Sequence, residues 1–431
     1  MRRLLATTIF LGILMTFLGR MNFEDPSQLM AESMIALGFI LIIAYLTGKI
    51  LSRWQLPLIT GYILAGICAG PYLINLLSHS VVQNLQLIDN IALSLIALTA
   101  GGEFRYKKIK KQFRTIGSVI FWKIIFVVVG FILFMFIYRK NVPFLSGTDL
   151  STVLGVGIIL SALSIATSPA TTIAVITETK AKGPFTDFIL GVTVFKDIIV
   201  VLVFSLALSI AQPLIVAEAS FNLAYVFDIL KELILSIFMG IVSGSFILLY
   251  LKYIHTHTVL FLLGFIILGI EISTMLHLEV ILLFMVAGFF VQNFSDKGTK
   301  LIEAIEEGSL PIYVIFFAIA GASLNFPIFL ANWSLALLIV GMRMLTTFIG
   351  TYVGGKLTKA TRNISHYGWM GFIGQAGLSL GLSVIVKQNL PGKIGTSIAT
   401  LIVAAIVINQ IIGPVIFRYS LVKVGEAKLS K

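Results

Sequence analysis

Three charged residues fall where the sequence is otherwise apolar. Lys196 and Asp197 sit in the run "FILGVTVFKDIIVVLVFSLAL", and Arg343 lies in an apolar run that begins near Trp333. Asp197 follows Asp187 by ten residues and Arg343 follows Trp333 by ten. At helical rise that is about 15 Å, the middle of a roughly 30 Å hydrocarbon slab. Each such charge costs at least ~2.5 kcal/mol in lipid. Side chains carried at that cost face a protein interior or water, and the default reading is an ion pathway. A carboxylate offers hard oxygen to a cation, so Asp197 is the expected ligand for a metal cation. The hydroxyls of Thr167, Ser168 and Thr171, with unwound carbonyls nearby, are candidates to complete the shell. A carboxyl withdrawn from water also holds a proton well. Proton and cation then compete for one group, the minimal mechanism of exchange. Lys196 points about 100° away from Asp197 on a helix. Its charge would repel a cation, so it is expected to lose its proton or swing away when the cation arrives. Arg343 keeps its proton and can act only as a fixed counter-charge.

Two segments must position these groups. One carries "SALSIATSPATTIAVITET" with Pro169 at its centre, and the other carries "GFIGQAGLSLGLS", with breaks expected at Gly374, Gln375 and Gly377. Irregular backbone at bilayer depth is tolerated only inside protein or beside a water-filled cavity. The two segments are seven crossings apart, so they run in opposite directions. Interrupted helices at matching positions of oppositely oriented halves point to a transporter binding site.

The remaining sequence supplies the membrane. The 431 residues are 58% hydrophobic and 12% charged, too little charge for a water-facing exterior. Apolar segments are expected at about 4–19, 33–52, 57–77, 83–103, 115–138, 151–176, 185–211, 227–250, 258–276, 278–293, 308–325, 333–355, 366–388 and 394–417. The fold class is therefore all-α integral membrane, with about fourteen transmembrane helices, inverted-topology repeats and two interrupted helices. With the N-terminus inside, the inner loops hold 22 of the 31 Lys and Arg and the outer loops five. Both termini are thus expected in the cytoplasm, and the net charge of +12 reads as cytoplasmic-loop bias rather than nucleic-acid binding. Residues 4–19 read as a retained helix, since no small-residue cleavage site follows Gly19. Lys123, Glu271 and Asn409–Gln410 are weaker candidates, with snorkelling, helix pairing and interhelical hydrogen bonds as their ordinary roles. No phosphate-binding loop, dinucleotide fingerprint or metal-ligand cluster is present, so no enzyme activity and no cofactor is expected.

The chain resembles the monovalent cation:proton antiporters, nearer the Kef/Nap-type branch of the sodium/hydrogen exchangers. The resemblance runs from about Met34 to Arg418. It rests on "LPLITGYILAGICAGP", "IALTAGGEF" with its following basic loop, "ATSPATT", "GVTVFKDIIV", "FFAIAGASLNF", Arg343 and "GFIGQAGLSLGLSV". It implies two crossing interrupted helices in a mobile core of about 83–211 and 308–417, a dimerisation scaffold from the rest of 21–418, a homodimer, and a bacterial inner-membrane location. It also implies Asp197 as ion-binding residue, Arg343 as the basic residue of the partner helix, Thr167 in the crossing, 1–20 as an added helix, and 419–431 as a short cytoplasmic tail. Two positions depart from the family pattern. Lys196 stands where Asn, Asp or Gln is usual, and Ser168 where an acidic residue often precedes the proline. The expected substrates are sodium or potassium and protons. A sodium-coupled organic-anion symporter of similar fold, or a non-transporting sensor or channel, is the alternative.

Overall fold

The computed structural model describes residues 28–427 except 86, 217–223, 255 and 391. The expected helix at 4–19 lies outside the described residues. The described chain is helical: α1 (Gln28–Ser52), α2 (Leu58–Ala69), α3 (Leu87–Glu103), α4 (Phe113–Tyr138), α5 (Leu150–Ile165), α6 (Pro169–Thr179), α7 (Pro184–Ile215), α8 (Ala224–Tyr253), α9 (Thr258–Met275), α10 (Val280–Phe294), α11 (Gly298–Ala322), α12 (Phe326–Leu357), α13 (Gly377–Asn389) and α14 (Gly392–Lys423). Nine helical spans among the described residues are long and apolar enough to cross a bilayer, with α5 and α6 counted together, and a tenth is the bent α11. The shorter α2 and α10 are also apolar. This is a multi-pass, all-α membrane protein. The chain separates α9 from α10 near His277, as the sequence suggests, with Glu279 as N-cap residue of α10.

The apolar segment expected at 308–325 begins ten residues earlier, at Gly298. Its first part, "GTKLIEAIEEG", is amphipathic rather than apolar, so hydropathy alone does not register it. That part meets the apolar part at a 56° bend.

Helix packing follows small residues. A Cβ on Gly350 would lie 2.5 Å from the Cα of Lys123, and one on Gly354 2.7 Å from the Cα of Val119. These glycines let α12 lie directly against α4. The α4 helix also packs along α5, α5 along α7, and α14 along α12 and α13. Elsewhere α3 packs along α10 and α11, α2 along α1 and α11, and α8 along α10.

Candidate functional site

The sequence "ATSPATT" builds its own helix break. Proline disfavours the helical region for the residue before it, and Ser168 is extended at φ −88°, ψ 111°. Pro169 then opens α6, where its missing N–H would have had no intrahelical partner anyway. Ser168 caps that helix, its hydroxyl accepting from Thr171 N at 3.2 Å and from the Thr171 hydroxyl at 3.1 Å. The second break joins a 3₁₀ turn, Gly368–Phe372, to α13 through irregular backbone at Ile373–Ala376. The breaks meet: Ser168 N donates to Gly374 O at 2.9 Å, and Thr172 Oγ1 donates to Gly371 O at 3.3 Å. A Cβ on Gly413 would lie 2.7 Å from the Gly374 Cα, so glycine lets α14 press against the crossing.

A helix end leaves its last four carbonyls without intrahelical partners and carries partial negative charge. Here two such ends face each other, and one side chain spans them. The Arg343 guanidinium is buried and donates to Ser164 O (2.9 Å), Ala166 O (2.8 Å), Phe372 O (3.0 Å) and Ile373 O (2.6 Å). Gln375 Nε2 donates to Leu163 O at 2.9 Å and its Oε1 accepts from Asn409 Nδ2 at 2.9 Å. Lys123 Nζ donates to Ile165 O at 3.4 Å. The counter-charge therefore faces the helix ends rather than the aspartate. Among the described residues no Lys or Arg nitrogen lies within 4.0 Å of an Asp197 oxygen.

Asp197 is half-buried on α7, and its Oδ1 has no hydrogen-bond partner. Lys196 is fully buried, and its Nζ also has none. Thr167 Oγ1 in the break and Thr193 Oγ1, one turn before Asp197, are likewise buried without partners. The i, i+4 spacing puts Thr193 on the Asp197 face of the helix. That spacing was available in the sequence, which had suggested only hydroxyls of the break. Of those, Thr167 is without a partner, whereas Ser168 and Thr171 are engaged in the cap.

Asp197 lines a cavity of about 540 Å³ that also touches Ser168 and Pro169. Along α7 it is bordered by Val201, Phe204, Ser205 and Leu208, successive turns away from Pro184. It reaches Asn389, Glu232 and Glu279 near the helix ends on that side. Among the described residues its charged lining is wholly acidic: Asp197, Glu232 and Glu279. On the opposite side, Leu58 N at the start of α2 donates to both oxygens of Glu178, at 2.8 and 2.9 Å, and Arg418 lies 3.8 Å from Glu178. The cavity thus runs from Asp197 toward Glu232 and Glu279, while the Glu178 contacts tie the helices together on the opposite side.

Comparison with known proteins bears on the family and the fold. Residues 38–423 match the family model described as sodium/hydrogen exchanger, transmembrane. The ammonium/H⁺ antiporter subunit AmhT of Alkalihalophilus pseudofirmus is 22% identical over 393 residues, covering 89% of this chain and 92% of AmhT. A Na⁺/H⁺ antiporter of Enterococcus hirae is 22% identical over 407 residues, covering 89% of this chain and 97% of the relative. The solved structure of the sodium proton antiporter MjNhaP1 from Methanocaldococcus jannaschii at pH 8 superposes with TM-score 0.67 at 16% identity, covering 91% of this chain and 96% of that one.

Proposed function

The chain belongs to the sodium/hydrogen exchanger family, and from that premise we propose that it exchanges a monovalent cation for protons, with Asp197 holding one or the other. One observation carries this reading. Asp197, whose buried Oδ1 has no hydrogen-bond partner, lines a cavity whose charged lining among the described residues is acidic. A carboxylate locked to an arginine would have no capacity for exchange, and Arg343 is engaged elsewhere. Thr167, in the break, and Thr193, one turn before Asp197, are candidates among the unpartnered hydroxyls to supply further oxygen.

Lys196 shapes the stoichiometry. Its ammonium has no acceptor in this conformation, and it neighbours Asp197 in a buried setting. Arrival of a cation at Asp197 places two positive charges together in low dielectric, where their repulsion is strong. Lys196 relieves it by releasing its proton or by swinging away. Release of protons from both residues for one monovalent cation makes the cycle electrogenic.

The packing supports a reading of alternating access. Helices α4–α7 and α12–α14 carry the crossing and form the core in this reading. Helices α3 and α11, which the family resemblance places in the core at 83–103 and 308–325, pack along α10 and α2 respectively. They join α1, α2 and α8–α10 as the scaffold, which also supplies the dimer contact. The basic loops lie on the face of Glu178, taken as cytoplasmic with both termini in a bacterial inner membrane. The vestibule at Glu232 and Glu279 then faces outward, and inward opening requires the Glu178–Leu58 contact to part. The test is a pH-sensing proteoliposome assay with sodium, potassium, lithium and ammonium. Cation-dependent proton movement is expected in the wild type and its loss in Asp197→Ala. Unchanged exchange in Asp197→Ala overturns the assignment.

A further inference from the structure

Lys123 belongs to no part of the mechanism above, yet it is fully buried beside the crossing. Its stem does not reach toward either membrane face. Gly350 holds α12 against the Lys123 backbone, which fixes where the side chain starts. Its Nζ lies 3.4 Å from Ile165 O and 5.2 Å from the centre of the Phe372 ring. Those two residues belong to the two different breaks. Ile165 ends α5, and the Phe372 carbonyl is held by Arg343.

The carbonyls at the end of α5 show what Lys123 does there. Leu163 O accepts from Gln375, Ser164 O and Ala166 O accept from Arg343, and Ile165 O accepts from Lys123. An unwound helix end beside a carboxylate is ordinarily a source of oxygen ligands for a monovalent cation. In this chain each of these four consecutive carbonyls is occupied by a side-chain donor, and two of the three donor side chains are basic. Of the four, Ile165 O depends on Lys123 alone among the described residues. Asp197 also lies within electrostatic range of Lys123.

We propose that Lys123 is a positioning and specificity-determining residue that withholds the Ile165 carbonyl, and with it a favourable potential, from the transported cation. Lys123 therefore sets cation affinity through the break without touching the ion. The proposal rests on the reading of Asp197 as the exchange site.

The experiment measures KM and kcat of proteoliposome exchange for sodium, potassium and lithium in wild type, Lys123→Arg, Lys123→Gln and Lys123→Met. Chromatographic monodispersity and thermal unfolding serve as folding checks. Lys123→Met frees the carbonyl and removes the charge, so KM is expected to fall about tenfold for at least one cation, the scale of a charged hydrogen bond's net worth. The ratio of KM values among the three cations should change with it, while kcat changes less. Lys123→Arg keeps both charge and donor and should stay within about twofold of wild type. Lys123→Gln keeps a donor of shorter reach without charge and should lower KM less than Lys123→Met. If Lys123→Met does not fold, the Arg and Gln variants decide: equal KM values in these two overturn the proposal, as does wild-type KM in folded Lys123→Met. Asp197→Ala is assayed in parallel. Persistent exchange there refutes the site itself. Abolished exchange there, with unaltered KM in the folded Lys123 variants, refutes only the role of Lys123.

Discussion

Replacing Arg343 tests whether one guanidinium holds the two broken helices together. Arg343→Met keeps much of the side-chain length and removes every donor. Four buried carbonyls, those of Ser164, Ala166, Phe372 and Ile373, then lose their partner. Leaving a buried acceptor unsatisfied costs about 1–3 kcal/mol each. Water entering the cavity and backbone relaxation offset part of this, so a net loss of roughly 4–8 kcal/mol is expected for the four together. That is a large share of a native protein's typical ~5–15 kcal/mol. Arg343→Lys keeps the charge, but an ammonium has three donors and no planar fork. It can serve only part of the set and should lose about half as much. The assay is thermal unfolding in detergent together with proteoliposome exchange. The expected order of stability is wild type, then Lys, then Met, with exchange abolished in Met. Wild-type melting and wild-type exchange in Arg343→Met would refute the reasoning, because it would mean the carbonyls find other partners at no cost.

Other outcomes follow from contacts elsewhere. Glu178→Ala removes the carboxylate that accepts from Leu58 N; in a Cys68→Ser background, a cysteine at Ser205 in the cavity should then label about tenfold more slowly, as the population shifts toward the inward-open form, and an unchanged labelling rate contradicts a closing role. Glu426 accepts from Phe185 N, Thr186 N and the Thr186 hydroxyl at 2.7–2.8 Å, capping the helix that carries Asp197; Glu426→Ala should lose about 1–2 kcal/mol of stability, read as a lower melting temperature, and no change contradicts the cap. Lys196→Gln should alter the charge moved per cycle under a clamped voltage, whereas a wild-type value removes Lys196 from the mechanism.

Much of this site was legible because membrane sequence makes charge conspicuous. Lys196, Asp197 and Arg343 stand out in apolar runs, and Pro169 between serine and alanine marks a break whose geometry follows from proline alone. The partners were not legible. Nothing local says that Arg343 reaches the carbonyls of 164, 166, 372 and 373, since that contact exists only once two breaks cross. Lys123 was ambiguous for a similar reason. A lysine at mid-depth either snorkels or turns inward, and the choice is set by which face of α4 meets α12. Glu178 and Glu426 lie near helix ends among polar residues, where a capping carboxylate and a solvated one have the same sequence signature.

The central claim is that cation and proton exclude each other at Asp197. Proton release on cation binding measures this directly, by titrating purified protein with sodium, potassium or ammonium in buffers of different ionisation enthalpy. At least one proton should leave for each cation bound, more if Lys196 also discharges, and Asp197→Asn should abolish both binding and release. Cation binding without proton release, or release that survives in Asp197→Asn, would contradict the account.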